Sequence, residues 1–440
     1  MSVDRGERLD VAVVGSGIAG LACAWLLSQR HRVTLYERET RLGGHTNTVD
    51  VPTSAGRVPV DTGFIVFNED TYPNLVALFA HLKIGTQASE MSFSVSLDDG
   101  RLEYGGNNLS TLFAQRTNLL NPRFLRMLRD LLRFYREAPR QLASLDGMSL
   151  GDYLDRDRYG RAFRDDHLLP MAAAIWSAPR ATLLDFPATS FVRFCENHGL
   201  LKVTGRPIWR AVTGGSSTYI PALAVPFEDR VRRGVRVVGV ARDALGVTLR
   251  AADGATARHD HVVLATHADT ALALLDEPSA SERELLGAFR YSRNRAVLHR
   301  DATLMPKRRK VWSSWNFLGR RGGDAEALCV TYWMNRLQSL AGADHFVTLN
   351  PTRTPRDVVY ETTYEHPIFD LGALAAQRRL WSLQGRGNVW FAGAHFGAGF
   401  HEDGLQAGLA VAEALGGVRR PWQVDGESSR ITPPVQELAA

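Results

Sequence analysis

The chain has 440 residues, more than one ordinary core organises, so two or three domains are expected. With 45% hydrophobic and 22% charged residues and a formal net charge of +5, it reads as a folded globular protein that tolerates an anionic partner, and a disordered chain is excluded. Its three cysteines, Cys23, Cys195 and Cys329, lie far apart with no C-x-x-C, which argues against a disulfide framework or a zinc site and fits reduced thiols in a cytoplasm.

The first apolar stretch is VAVVGSGIAGLACAWLL, Val11 to Leu27. Three glycines interrupt it too closely for a spanning helix, and it lacks the basic flank and cleavage site of a secretion signal. It predicts a strand, a turn and a helix. Gly15, Gly17 and Gly20 form G-x-G-x-x-G: a tight turn, a place where backbone approaches a pyrophosphate, and a close helix–strand contact. The pyrophosphate then meets the positive end of the helix. A second strand, Arg32 to Tyr36, ends in Glu37, about 20 residues beyond the glycines, where a carboxylate accepts hydrogen bonds from a ribose 2′-OH. Gly15, Ser16, Gly17, Ile18, Ala19, Gly20 and Glu37 are the expected dinucleotide contacts. RETRLGGHTNTVD follows, and Arg38, Arg41 and Gly43-Gly44 extend the phosphate-binding surface. VPVDTGFIVF adds a strand and a tight turn from Asp61 to Phe64.

The stretch from Pro122 to Leu142 predicts one long helix. At 100° per residue, Arg126, Arg129, Arg133, Arg136 and Arg140 gather within an arc of about 80°. Asp130 and Glu137 share that side, while Phe124, Leu125, Met127, Leu128, Leu131, Leu132, Phe134 and Tyr135 fill the other half. Two readings stand: a solvated surface helix, or an interfacial helix whose arginines meet lipid phosphates. No nucleic-acid reading motif accompanies the charge, so no nucleic-acid partner is expected. Further on come TGGSSTYIPAL, a hairpin pattern in VRVVGVARDALGVTLRAADG that contains Val240, and the strand HVVLATHA. Strand-like stretches then carry Trp312, Trp315, Tyr332, Trp333 and Tyr364, which suit either a core or a substrate cage. NVWFAGAHFGAGFHEDGLQAGLAVAEAL closes the series with a strand, a glycine turn and a helix.

These motifs resemble the flavin amine oxidase and phytoene desaturase superfamily, whose members carry E-R-x-x-R-x-G-G after the first βαβ unit, here Glu37-Arg38, Arg41 and Gly43-Gly44. The resemblance runs from residue 11 to about residue 416. It implies an α/β fold in which a Rossmann-type, glutathione-reductase-like FAD domain (1–75, 205–275 and 385–420) is interleaved with an α+β substrate domain (a helical insertion at 76–204 and a mixed sheet at 276–384). Residues 421–440 read as a loose tail. The resemblance adds Arg38, Gly44, His45, Thr46, Gly63, Phe64, Val240, Gly393, Asp403 and Leu405 to the FAD contacts. One departure stands out: Gly393 is followed by Ala394 and His395 where the family has an acidic residue for the ribityl hydroxyls. Those contacts then fall to backbone, water or His395. No second G-x-G-x-x-G supports NAD. The cysteine to which some amine oxidases tether their flavin is missing from this segment; His45, His395 and His401 are the candidates for a histidyl tether, and non-covalent FAD is the expectation.

A flavin takes a hydride from a carbon held against N5, so the protein positions, desolvates and tunes. His395, His401, Glu402 and Tyr364 are the catalytic candidates, with His401 and Glu402 as an acid/base pair if both face the pocket. The alternative is that Glu402 and Asp403 merely support the N-terminus of the last helix. Tyr364 and His366, in ETTYEHPIFD, are candidates to line the substrate tunnel. No metal site is read. MPKRRKVWSSWNF, ETTYEHPIFD and GFHEDGLQAGL resemble, more narrowly, bacterial NAD/FAD-binding proteins associated with cyclopropane-fatty-acid-synthase-like methyltransferases, among them methyl-branched and furan fatty acid desaturases. That resemblance implies dehydrogenation or isomerisation of an unsaturated fatty acyl chain on a phospholipid by allylic hydride removal. It also implies coupling to a lipid methyltransferase and a cytoplasmic enzyme on the inner face of the membrane. A soluble amine or amino-acid oxidase, and a flavin-bearing binding or assembly protein without turnover, are the alternatives.

Overall fold

The computed structural model describes residues 8–54, 56–321 and 329–432. Asp10–Val14 is the central strand of a five-stranded parallel sheet, and Val11, Ala12 and Val13 are wholly buried. An unbroken apolar run suits a parallel strand that is covered on both faces. Across the sheet the order is Val231–Arg233, Arg32–Glu37, Asp10–Val14, His261–Leu264, Val389–Phe391, every pair parallel. Helix Ile18–Leu27 is buried along its whole length beneath the closing helix His401–Gly416. The two backbones meet at Gly408, where a Cβ would lie 2.1 Å from the Ala19 carbonyl oxygen. An antiparallel meander (Val237–Asp243, Gly246–Ala251, Thr256–His259) leads from the outer strand back to His261–Leu264.

The second layer is a seven-stranded sheet in the order Val358–Ile368, Arg290–His299, Phe346–Leu349, Cys329–Trp333, Trp315–Gly319, Phe93–Leu97, Leu102–Gly105. All its pairs are antiparallel except Trp315–Gly319 with Phe93–Leu97. Two of these strands, and a third at Thr86–Ser89, correct the purely helical reading of 76–204. Their turn was visible in the sequence: Asp98, Asp99 and Gly100 all take positive φ, the backbone that Asp-Gly hairpins favour.

Two further expectations change. The helix from Pro122 ends at Glu137, and Ala138–Ser144 continues as a tighter turn, because Pro139 has no N–H to donate. The segment after residue 420 is packed as far as residue 432. Trp422 stacks on Trp25 with centroids 5.9 Å apart, and Arg430 reaches Asp403. Residues 433–440 of the expected tail lie outside the described residues. Among the described residues no helix is long and apolar enough to cross a membrane.

Candidate active site

The nucleotide end is built by glycine. Gly15 sits at φ +101, and a Cβ there would lie 2.6 Å from the Ala265 carbonyl oxygen. At Gly20 a Cβ would lie 1.9 Å from the Gly15 oxygen, so helix and turn touch directly. Gly17 differs: nothing stands within 4 Å of its absent side chain. Gly15 and Gly17 are also the half-buried positions in an otherwise buried run from Val11 to Leu27. A space therefore opens at the N-terminus of Ile18–Leu27, where unpaired N–H groups and the helix dipole favour an anion. The loop after Glu37 lies across it. The Gly43 N–H donates to the Ser16 carbonyl (3.0 Å) and to Ser16 Oγ (3.1 Å), and a Cβ on Gly44 would lie 3.1 Å from Gly17 Cα.

Glu37 is buried at the end of its strand. Oε2 accepts from the Ser16 N–H (2.9 Å) and Oγ–H (2.6 Å), and Oε1 accepts from the Glu39 N–H (2.9 Å). Arg38 is exposed and pairs with Glu39, while Arg41 donates to the Thr46 carbonyl. Val240, expected beside the cofactor, lies within the meander with its carbonyl taken by the Asp276 N–H. The residues that reach the Glu37 end are Gly234 and Val235, whose N–H groups bind the carbonyls of Glu39 and Glu37. Ile18, Ala19 and Leu405 are buried, and Ile18 packs against Gly404 of the closing helix.

From Gly44 the chain runs into a chamber edged by histidines. His45 lies 5.0 Å from the Tyr364 ring, 5.4 Å from His366 and 6.3 Å from His267, centroid to centroid. His267 stacks on Tyr291 at 4.3 Å, and His366 Nδ1 accepts from Asn294. Phe64 lies flat on His401, 3.8 Å away and 6° from parallel. His401 Nε2 is 2.8 Å from the Tyr219 hydroxyl, which in turn is 2.6 Å from Thr46 Oγ1. The Tyr364 hydroxyl is held by Thr62 Oγ1 and by the Asn47 amide, and a Cβ on Gly63 would lie 2.1 Å from the His45 carbonyl oxygen and 3.1 Å from the Tyr364 ring. His395 lies against Gly393, fully enclosed, and its Nε2 has no partner.

Burial keeps these rings neutral. It lowers His395 and His401 to about 3 and His366 to about 4. Burial also holds His45 well below the usual histidine range, with His366, His267 and His401 adding to the effect. His267 is lowered by burial, with Asp269 and Glu365 opposing. At neutral pH the chamber wall is uncharged imidazole and aromatic ring.

The expected His401–Glu402 pair does not form. The Glu402 carboxylate turns to the N-terminus of helix Pro73–His81, where Oε1 accepts from the Asn74 N–H and side-chain amide and Oε2 accepts from the Leu75 N–H. Gln406 donates to it as well. Asp403 caps its own helix by accepting from the Phe400 N–H at 2.7 Å, and it pairs with Arg430. His267, Tyr219 and Tyr291 were not singled out from sequence. His267 carried a usable signal, because it follows a parallel strand at the edge where ligands of such sheets sit. Tyr219 carried none, since its partners are 173 and 182 residues away.

The open cradle at Gly17, the buried Glu37 carboxylate and the unpartnered His395 nitrogen beside Gly393 fit FAD. A family model for flavin containing amine oxidoreductase matches residues 18–298. The chain belongs to that family. By its description that family is one of flavin-containing oxidoreductases. Carotenoid phi-ring synthase of Streptomyces griseus is 32% identical over 284 residues, covering 59% of this chain and 52% of that one. The chain thus spans about half the length of that curated relative. Cyclohexylamine oxidase from Brevibacterium oxydans IH-35A superposes with a TM-score of 0.68 at 18% identity, covering 93% of this chain and 100% of that one. The CLA-producing fatty acid isomerase from P. acnes superposes with a TM-score of 0.65 at 15% identity, covering 94% and 99%. At such identities the likeness to these two shows a shared fold.

Proposed function

We propose that this amine-oxidase-family flavoenzyme dehydrogenates or isomerises an unsaturated fatty acyl chain, with FAD held non-covalently. The carrying observation is the neutral chamber. The carboxylates that border it are already engaged: Asp61 by Thr48, Ser216 and Gln338, Glu365 by His267, Glu402 by Asn74 and Leu75, Asp403 by Arg430. An ammonium substrate would lack an anionic anchor there, whereas a hydrocarbon needs none. Beyond His401 the wall continues as Phe400, Phe194, His198 and Trp209, ring against ring. The fold itself does not choose, since an amine oxidase and a fatty acid isomerase both have it. The carotenoid relative's name leans towards an apolar polyene. The finer likeness to fatty acyl desaturases, carried by ETTYEHPIFD and GFHEDGLQAGL, leans the same way.

When bound, FAD supplies a two-electron acceptor for a hydride from carbon. The cradle of Gly17, Gly43 and Gly44 would hold its pyrophosphate, and Glu37 would hold its ribose. Tyr364, fixed by Thr62 and Asn47, shapes the chamber beside His45. His401 Nε2 is held by the Tyr219 hydroxyl, and in the tautomer that donates from Nε2 the other nitrogen is left to accept the proton lost from the carbon next to the oxidised one. Exclusion of water by the aromatic file keeps the oxidised carbon from side reactions.

The test is anaerobic mixing of the oxidised enzyme with unsaturated phospholipid and, separately, with a panel of amines. Loss of flavin colour with lipid and not with amines is expected. Bleaching by an amine alone would overturn the acyl reading, and bleaching by neither, with the lipid's double bonds also unmoved, would favour a flavin without turnover. Acid precipitation is expected to leave FAD in the supernatant; a coloured pellet would point to a tether at His45, His395 or His401.

A further inference from the structure

We propose that helix Pro122–Glu137 and the loop from Lys202 to Ile208 form one face that docks on an anionic bilayer, with the apolar seam between them as the mouth of the chamber. The second clause rests on the acyl reading above; the first does not.

The helix presents both kinds of side chain that such a face needs. Arg126, Arg129 and Arg136 are exposed along it, and Arg140 in the turn that follows. Arg133, which the helical wheel groups with them, is withdrawn: its guanidinium lies 3.9 Å over the Tyr159 ring and donates to the Asp157 carbonyl. Both carboxylates of the helix are occupied, Asp130 buried beneath the Gly160 N–H and Glu137 between Arg133 and Arg136. The leucines do not all face inward, contrary to the wheel. Leu125 is 44% exposed and Leu132 56%, and Leu120, just before the helix, is 87% exposed. Exposed leucine beside exposed arginine, with no free acid, is the composition of an interfacial helix.

The loop repeats that composition from another part of the chain. Val203 is 69% exposed and Ile208 71%, Lys202 before them and Arg206 between them are exposed, and no acidic residue occurs from Gly199 to Arg210. The loop is shaped rather than slack, because Arg206 Nε donates to the Lys202 carbonyl and Pro207 fits against Gly199. It follows a helix that packs on the same elements: Phe191 of Ala188–Asn197, which leads into the loop, lies 6.5 Å from Phe134, centroid to centroid, and Ala188–Asn197 contacts the turn Ala138–Ser144 at the end of Pro122–Glu137. Two basic, apolar elements from distant sequence thus share one surface. Phospholipid headgroups complement the cations and acyl chains complement the leucines, and that combination selects a membrane over a protein or a nucleic acid.

The interior continues the surface. Trp209, one residue past Ile208, stacks over His198 (6.1 Å, 25°). His198 stacks on Phe194 (3.8 Å) and Phe194 on Phe400 (4.7 Å), the residue before His401. An acyl chain entering between helix and loop meets a file of rings that ends at Phe400, the residue before the candidate catalytic histidine. It would not have to expose its methylenes to water on the way.

The experiment uses holoenzyme and vesicles of phosphatidylcholine with or without phosphatidylglycerol. The native cysteines are all buried, so a polarity-sensitive dye on Leu132→Cys or Ile208→Cys reports its own site, with Asp253→Cys in the meander as control. Binding to the anionic vesicles at low salt is expected, with release as salt rises. The dye should be buried and lipid-quenched at residues 132 and 208 and unaffected at 253. Changing Arg126, Arg129 and Arg136 together to Gln should weaken vesicle binding by about 100-fold and leave the flavin spectrum unchanged. The Ile208→Cys adduct should also slow bleaching by vesicle-borne lipid and not bleaching by dithionite. No binding at low salt, equal burial at residue 253, or binding to RNA without lipid quenching would overturn the docking face. An adduct at residue 208 that leaves lipid bleaching untouched would overturn the seam as the mouth. Docking with no bleaching by any lipid would retire the acyl substrate and leave the docking face standing.

Discussion

Two alanine substitutions three residues apart should separate folding from cofactor binding. At Gly20 a Cβ would sit 1.9 Å from the Gly15 carbonyl oxygen and 3.1 Å from Ala265 Cβ, so helix Ile18–Leu27 has to move off the sheet. Overpacking of a core costs about 1–3 kcal/mol, and contact with backbone, which cannot rotate away, puts Gly20→Ala at the upper end or beyond. Gly17 has φ −63 and ψ 175, which alanine adopts freely, and nothing lies within 4 Å of the new methyl. Gly17→Ala apoprotein should therefore keep its stability to within about 1 kcal/mol, on the stabilising side if anything, because the unfolded chain loses freedom. FAD changes the comparison. A methyl in the space before the helix displaces the pyrophosphate from N–H donors whose charge-assisted bonds contribute about 1.5–3 kcal/mol each. Losing two weakens FAD by about 3 kcal/mol or more, over 100-fold in Kd. Thermal melts of flavin-free protein and titration of FAD by fluorescence quenching measure the two quantities. Gly17→Ala that binds FAD like the wild type, or that melts as early as Gly20→Ala, would refute the assignment of the open cradle to the pyrophosphate.

What could be read from sequence follows the distance over which each feature is encoded. The glycine turn, the helix and Glu37 lie within one βαβ unit, so spacing alone carries them. The strands at Phe93–Leu97 and Leu102–Gly105 were equally local, with SFSVSL alternating and Asp98-Asp99-Gly100 turning, and were hidden only by reading the whole insertion as helical. The chamber is of another kind. Thr46, Tyr219 and His401 make one hydrogen-bonded chain from three remote segments, and no local pattern announces it. His401 and Glu402 show why adjacency misleads. Successive helical side chains point about 100° apart, so with His401 stacked on Phe64 the Glu402 carboxylate faces another element, here the start of Pro73–His81. Leu125 and Leu132 mislead in the opposite sense: the wheel sorts residues by polarity, whereas exposure depends on where the neighbouring segment lies.

Other consequences can be measured directly. Glu402→Gln turns an amide donor towards N–H groups that now bind an oxygen, so it should destabilise by about 1–3 kcal/mol in thermal melts and leave the pH profile of turnover in place. The neutral histidines should dominate acid stability. With His395 and His401 lowered to about 3 and His366 to about 4, their contribution is complete above the unfolded value near 6.5 and is lost as pH falls towards the folded values, by about 1.4 kcal/mol per unit for each ring. Asp61 works the other way. Burial raises it from 3.8 to about 6, so its contribution is complete below 3.8 and lost as pH rises through 6. Asp61→Asn should then make the acid loss between pH 6 and 4 steeper, by about 1.4 kcal/mol per unit, in denaturant titrations at fixed pH. Tyr219→Phe tests the proton path itself. The ring keeps its packing against Phe79, with centroids 5.4 Å apart, so the fold and FAD affinity should hold, while Thr46 Oγ1 and His401 Nε2 lose their shared partner. An imidazole no longer held in one orientation accepts a proton less often in the reactive geometry, and general-base catalysis contributes about 100-fold or more, so flavin reduction by substrate should slow by up to about 100-fold. Thr46→Val, which removes the far end of the same chain, should slow it less; an unchanged reduction rate in Tyr219→Phe would remove His401 from the chemistry and leave it a ring that packs on Phe64.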